Sequence, residues 1–257
     1  MEMDRFDPHL SLRLAETDAD RRGAYRTRYD VFVDELGADG PLVDHDSRLE
    51  MDRYDPYFDQ LILVDDRIDP ASGNHVAGVY RLMRLDQALQ AGQFYSEGEY
   101  DLDVLRQSGR KLLELGRSCV RPAHRNGAAM LSLWDGLAEY VRDHGIDILF
   151  GVASFHGTDV ARVAAPLSLL HHRHLAPPAL RVRARAFQRM DLTPVEAIDR
   201  PAAMRQVPAL IKSYLKLGGS VGDGAFIDHA FNTIDVCLVM DTAALTATAR
   251  QRYGAAV

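Results

Sequence analysis

Cysteine is scarce: Cys119 and Cys237 are the only two in 257 residues. That excludes a disulfide framework and points to a reducing compartment. Neither stands in a CxxC pair or in a Cys/His ligand pattern, so both read as small buried residues. Long apolar runs are absent too. The longest clean one, "VAAPLSLL" at 163–170, is far short of the roughly 20 residues a membrane span needs. Positive charge is not in excess; the net charge is −7, which excludes nucleic-acid binding by bulk charge. Internal repeats and low-complexity tracts are missing, and no linker divides the chain. The stretch "MEMDRFDPHLSLRLAE" is acidic, is interrupted by Pro8 and has no signal-peptide apolar region. The expected location is the cytoplasm, with peripheral contact at the inner membrane left open.

What is present is an alternation of strand and helix patterns. A chain of this length can bury a substantial core without staples. "LSLRLAE" alternates as a strand. A helix is expected over 18–37, where Tyr25, Tyr29, Phe32 and Leu36 make one stripe and Gly37 caps the end. The acidic 38–59 segment reads as an irregular loop, long enough to be suspected of function. "QLILVDD" and "HVAGVYRLMRL" form a hairpin across the turn "DPASGN". Strands follow at "KLLELGRSCV", "DILFGVAS", "LRVRARAFQRM" and "IDVCLVM". Helices are expected over 127–143, over 158–171 with Pro166 as a flaw, and over 201–217. The expected fold is a single α/β domain over 1–257, a mixed central sheet with helices on both faces.

One junction stands out. "LLELGRSCVRPAHRNGAAMLSLWDGL" runs from an apolar strand through a polar knot into a helix. A helix N-terminus offers unpaired amides and partial positive charge, and so suits a phosphate. Arg121 and Arg125 would strengthen that grip, and Gly127 allows close backbone approach. A plain polar loop is the competing reading. Glu114 and Arg117 are three apart on the strand and should face opposite sides unless a bulge at Gly116 re-aims one.

"VRPAHRNGAA" resembles the acyl-carrier cradle of the GCN5-related N-acetyltransferase (GNAT) superfamily, with one spacing residue missing. "YRTRYDVFVDELG", "DRYDPYFDQLILV", "GVYRLMR" and "ELGR" follow the motif order of acyl-homoserine-lactone synthases, although the Trp of their first motif is absent. "FYSEGEYDL", "LWDGLAEYV", "FGVASFHGTD", "LHHRHLAPPALRVRA" and "LIKSYLKLGGSVGDGAFIDHAFNTIDVCLVM" then resemble the bacterial ornithine N-acyltransferases. The resemblance runs from about residue 20 to 240. It implies a GNAT-like fold and transfer of a 3-hydroxyacyl chain from an acyl carrier protein thioester to the α-amine of L-ornithine, giving lyso-ornithine lipid. It implies no cofactor, the acyl-phosphopantetheine thioester being a co-substrate, and no metal.

The chemistry needs a base, an oxyanion donor, a pantetheine channel and a grip on the amino acid. Under the resemblance, Glu114 is the first choice as base, acting directly or through a water, and Arg117 sets its position. Backbone amides near Arg117–Val120 supply the oxyanion donors. Val120, Arg121, Arg125, Asn126 and Gly127 hold the phosphopantetheine. Asp52, Asp55 and Asp59 are candidates to hold the δ-ammonium, and Arg81 the substrate carboxylate. Arg181, Arg183 and Arg185 would share one strand face and dock an acidic carrier protein or anionic headgroups. His171, His172 and His174 lack metal-ligand spacing and are read as lining the amino-acid end or capping a helix. Gln60 stands where the family usually has His, and Gln cannot be a proton base near neutral pH. Glutamine, glycine or lysine as acceptor, acyl-CoA as donor, and a membrane-interacting hemolysin-like protein are the alternatives. The missing spacing residue disfavours CoA, whose pyrophosphate is larger than a single phosphate.

Overall fold

The structure, a computed structural model, describes residues 7–41, 43–125 and 127–245. In chain order its elements are β1 (Leu10–Leu14), α1 (Asp18–Arg28), a π-helical continuation (Tyr29–Glu35), β2 (Asp59–Asp65), β3 (Val76–Arg84), α2 (Leu85–Ala91), β4 (Tyr100–Asp101), α3 (Asp103–Arg106) and β5 (Leu112–Val120). Then come α4 (Ala128–His144), β6 (Ile148–His156), α5 (Ala164–His174), β7 (Arg183–Ala184), α6 (Arg200–Gln206), α7 (Ala209–Leu217), β8 (Ser220–Val221), β9 (Phe226–Asp228) and β10 (Thr233–Asp241).

The chain divides into two compact units, Met1–Met83 with Leu115–His144, and Arg84–Glu114 with Gly145–Val257. In the first, β1 pairs antiparallel with β2, β2 with β3, and the end of β5 follows β3. Period-two alternation decides what each helix covers. Ile62, Val64 and Val79 cluster with Ala24 of α1, and α4 packs on the opposite face at Leu12 and Leu61. Gly136 of α4 permits that approach: a Cβ there would stand 2.3 Å from Leu12 Cδ2. In the second unit, Leu112–Glu114 of β5 run parallel to Ile148–Phe150 of β6, and β6 pairs antiparallel with β10, which also carries β8 and β9. That sheet is therefore mixed, as the strand–helix alternation predicts.

Several expectations change. The helix over 18–37 opens on a Thr17–Asp20 capping box, as its sequence allows, but passes into π geometry at Tyr29. The wider turn breaks the predicted stripe: Val31 is buried and Leu36 is 40% exposed. Gly37 still closes it with a φ of 73°. The helix over 201–217 is two helices, because Pro208 has no amide and holds Val207 extended. The helix over 158–171 starts as a 3-10 turn, and Pro166 falls in the first turn of α5, where its missing amide does no harm. "LRVRARAFQRM" yields only the two-residue β7. Its alternation records burial, Val182 and Ala184 in and Arg183 and Arg185 out, but its partner β4 is two residues long.

Candidate active site

The first unit buries a lattice of three guanidiniums and three carboxylates. Arg28, at the end of α1, is 0% exposed; its Nε donates to Glu50 at 2.5 Å and its Nη atoms to Asp55 at 2.5 and 3.0 Å. Arg81, on β3, is also fully buried and donates to Asp52 at 2.6 Å and Asp55 at 3.1 Å, with its guanidinium 4.1 Å above the Phe58 ring. Arg117, on β5, reaches Glu50 at 3.2 Å and Asp52 at 3.4 Å. Burial opposes ionisation of Glu50, but the Arg117 and Arg28 charges outweigh it and hold its pKa at about 2. Asp55 is likewise pulled down against its burial by Arg28 and Arg81, and Arg28 is pushed up against its own by Asp55 and Glu50.

This arrangement places the predicted amino-acid residues in different settings. Asp52, Asp55 and Arg81 meet one another. Asp59, at the start of β2, accepts a hydrogen bond from Tyr140 at 2.6 Å. Sequence reasoning missed Arg28 and Glu50. The only signal was a basic residue on the inner face of α1, and its acids lie 22 and 27 residues away. The bulge weighed as an exception at Gly116 has a counterpart one residue later: Arg117 has a φ of 49°, rare for a side chain of this size.

Glu114 lies in the second unit and is 1% exposed. The amides of Tyr95 and Ser96 donate to its two oxygens at 2.8 and 2.6 Å, and the Ser96 hydroxyl adds a short third bond. These donors fix the position of the carboxylate. They also tie the Tyr95–Gly98 turn to β5. Phe94 stands edge-on to Phe150 beside it, 5.0 Å between centroids.

The β5–α4 junction borders a cavity of about 370 Å³ lined by Phe32, Ser118, Cys119, Val120, Arg125 and Gly127, among others. Three of the predicted cradle residues are in that lining. Gly127 has a φ of 82°, which suits the turn into α4. Arg125 binds its own strand through Val120 O at 2.8 Å and forks onto Glu35 at 2.6 Å twice, which raises its pKa. Arg121 points inward. It donates to Thr27 Oγ1 and Val76 O and pairs with Asp30 at 2.6 Å, and burial lowers its pKa. Asn126 lies outside the described residues.

Each arginine of the predicted basic row has a partner. Arg181 donates to Ala176 O, Arg185 to Glu97 O, and Arg183 pairs with Asp223 beneath the Phe187 ring. Of the histidines, His171 and His172 stand edge-on, His172 is 3.2 Å from Thr193 O, and burial lowers the pKa of His174. Elsewhere in the second unit, carboxylate oxygens of Glu99, Asp228 and Asp235 lie within 4.8 Å of one another. Both cysteines are buried, which pushes the Cys119 thiol up to about 12 and that of Cys237 higher still. Among the described residues, no helix is long and apolar enough to cross a membrane.

The family described as acetyltransferase (GNAT) domain matches residues 27–135. A curated L-ornithine N(alpha)-acyltransferase of Rhodobacter capsulatus is 57% identical over 242 residues, covering 94% of this chain and 93% of its own. Among solved structures, the N-acyl amino acid synthase FeeM from uncultured soil microbes is similar with a TM-score of 0.54 at 14% identity, covering 95% of this chain and 99% of its own. The AHL synthase LasI is similar at 0.53 and 14%, with 97% of each chain covered. At that identity the two structures show a shared fold.

Proposed function

The chain belongs to the L-ornithine N(alpha)-acyltransferase family, and from that membership we propose that it joins a 3-hydroxyacyl chain to the α-amine of L-ornithine, taking the acyl group from an acyl carrier protein and giving lyso-ornithine lipid. The observation that carries the reading is the near full-length match to the Rhodobacter capsulatus enzyme. Support for the donor comes from the β5–α4 junction, where Arg125 and Gly127 border a cavity at a helix start, a setting in which phosphates bind. The reaction is cytoplasmic in this reading, with peripheral membrane contact where the lipid product leaves.

The neutral α-amine attacks the thioester carbonyl. A C–N bond forms, the C–S bond breaks, and the amine proton passes to Glu114, directly or through a water, and on to the departing thiolate. Backbone amides near Arg117–Val120 receive the oxyanion. Arg117, held by Glu50 and Asp52, positions the strand that carries both. No acyl-enzyme is needed, since direct transfer to a good nucleophile is sufficient.

The test is thiol release from 3-hydroxyacyl carrier protein, run against the standard amino acids plus ornithine, with mass analysis of the product. Ornithine-dependent release with a singly acylated α-amine is the expected result. Equal turnover of the matching CoA thioester would remove the carrier-protein donor from the reading, and preference for another amino acid would remove ornithine.

A further inference from the structure

A second cavity, of about 830 Å³, lies within the first unit between the end of β1, the start of α1 and the start of β2. Its volume is in the range of small-ligand sites. Four carboxylates line it, Glu16, Asp18, Asp55 and Asp59, against two guanidiniums, Arg21 and Arg22. Asp18 is paired with Arg21 at 2.6 Å. Leu49, Met51 and Phe58 add apolar wall.

An acidic wall alone would not define a ligand. Gln60 does. It lines this cavity, is 3% exposed, and turns its Nε2 toward Asp55 Oδ1 at 3.2 Å. The opposite amide orientation would set oxygen against carboxylate, so the nearby charge decides the assignment. Its Oε1 is thereby left buried with no hydrogen-bond partner. A buried amide oxygen without a donor is costly, and such groups are uncommon in folded proteins. A cationic donor on a short apolar stem suits this acceptor, a wall richer in carboxylates than guanidiniums, and the Leu49, Met51 and Phe58 surface.

We propose that this cavity seats the side-chain ammonium of a diamino acid, with Gln60 Oε1 as its buried acceptor and Asp59 as its nearby counter-charge. Arg22 offers the complement for a carboxylate on the same molecule. The inference rests on the acyltransferase reading only in naming that molecule as the co-substrate. It assigns selection of a diamino acid to Gln60 and Asp59, and leaves Arg81, already committed to Asp52 and Asp55, to hold the fold.

Calorimetry on the full chain without acyl donor tests it, using L-ornithine and L-norvaline, which has the same carbon chain and no distal amine. Wild type should bind ornithine at least about tenfold tighter, the effect of a hydrogen bond to a charged donor. Gln60→Leu should remove most of that gap, and Asp59→Asn should narrow it in a chain that keeps Gln60 should the first variant fail to fold. Equal binding of the two amino acids by wild type, or an unchanged gap in the folded variants, would overturn the proposal. Turnover separates the two readings. An enzyme that acylates ornithine but keeps its gap in Gln60→Leu loses this inference and retains the function. One that does not acylate ornithine but binds it through Gln60 does the reverse.

Discussion

Glu50 shows how much one buried side chain carries. It sits between Arg28 and Arg117, and its folded pKa of about 2 is below its ordinary 4.5. A depressed carboxyl contributes stability above its unfolded pKa and loses it as pH falls through the folded one. Urea unfolding should therefore show stability draining between about pH 4.5 and 2. Glu50→Gln should cost about 3–5 kcal/mol at pH 7 by stranding guanidinium charge, and its stability should fall less over that acid window. Glu114 poses a different question, because the donors that hold it also anchor the Tyr95 turn to β5. Glu114→Gln should reduce turnover by about 100-fold or more if it moves the proton; a near-normal rate would leave it as the anchor of the Tyr95 turn. Glu114 and Arg117 drew attention in the sequence because they share one short motif. Arg28 and Glu50 were not, since a side chain's partner across the fold has no local signature.

At the scale of elements, long patterned segments could be read and their interruptions could not. The hairpin of β2 and β3 was plain from two apolar runs around a turn. The break at Pro208 lay in the sequence, but a helical pattern on both sides masked it. The π-helical turn after Arg28 was hidden because the same residues fit an ordinary stripe on paper, and the β5 distortion falls on Arg117, one residue past the glycine that hinted at it. The β5–α4 junction was the most informative segment, yet its arginines divided. Arg121 ties α1 to β3, while Arg125 remains at the cavity on Glu35. Arg125→Ala should thus raise the apparent KM for the acyl thioester about tenfold, the loss of one charged hydrogen bond, with kcat little changed. Steady-state kinetics with the amino acid saturating reads this directly, and a change confined to kcat would remove Arg125 from donor binding.

For the whole molecule, a net charge of −7 bears on the proposed donor, since an acyl carrier protein would itself be acidic. Local basic patches are the usual means, and their effect on association weakens with salt. Arg183 and Arg185 are exposed, although each already holds a partner. Joint Arg183→Glu and Arg185→Glu substitution should raise the KM for acyl carrier protein severalfold at low ionic strength and spare a small acyl-thiol surrogate. Equal effects on both donors would remove the docking role. The fold class and the enzyme class were readable at this scale because many separate motifs agree. The buried charge lattice was not, and it has a consequence for the protein's history. Its three positive and three negative groups cancel, so replacing any one of Arg28, Glu50, Asp52, Asp55, Arg81 or Arg117 by a neutral residue leaves an odd charge among them. Mutational routes out of this arrangement require compensating changes in pairs, which makes the six positions a single epistatic block that drifts together or not at all.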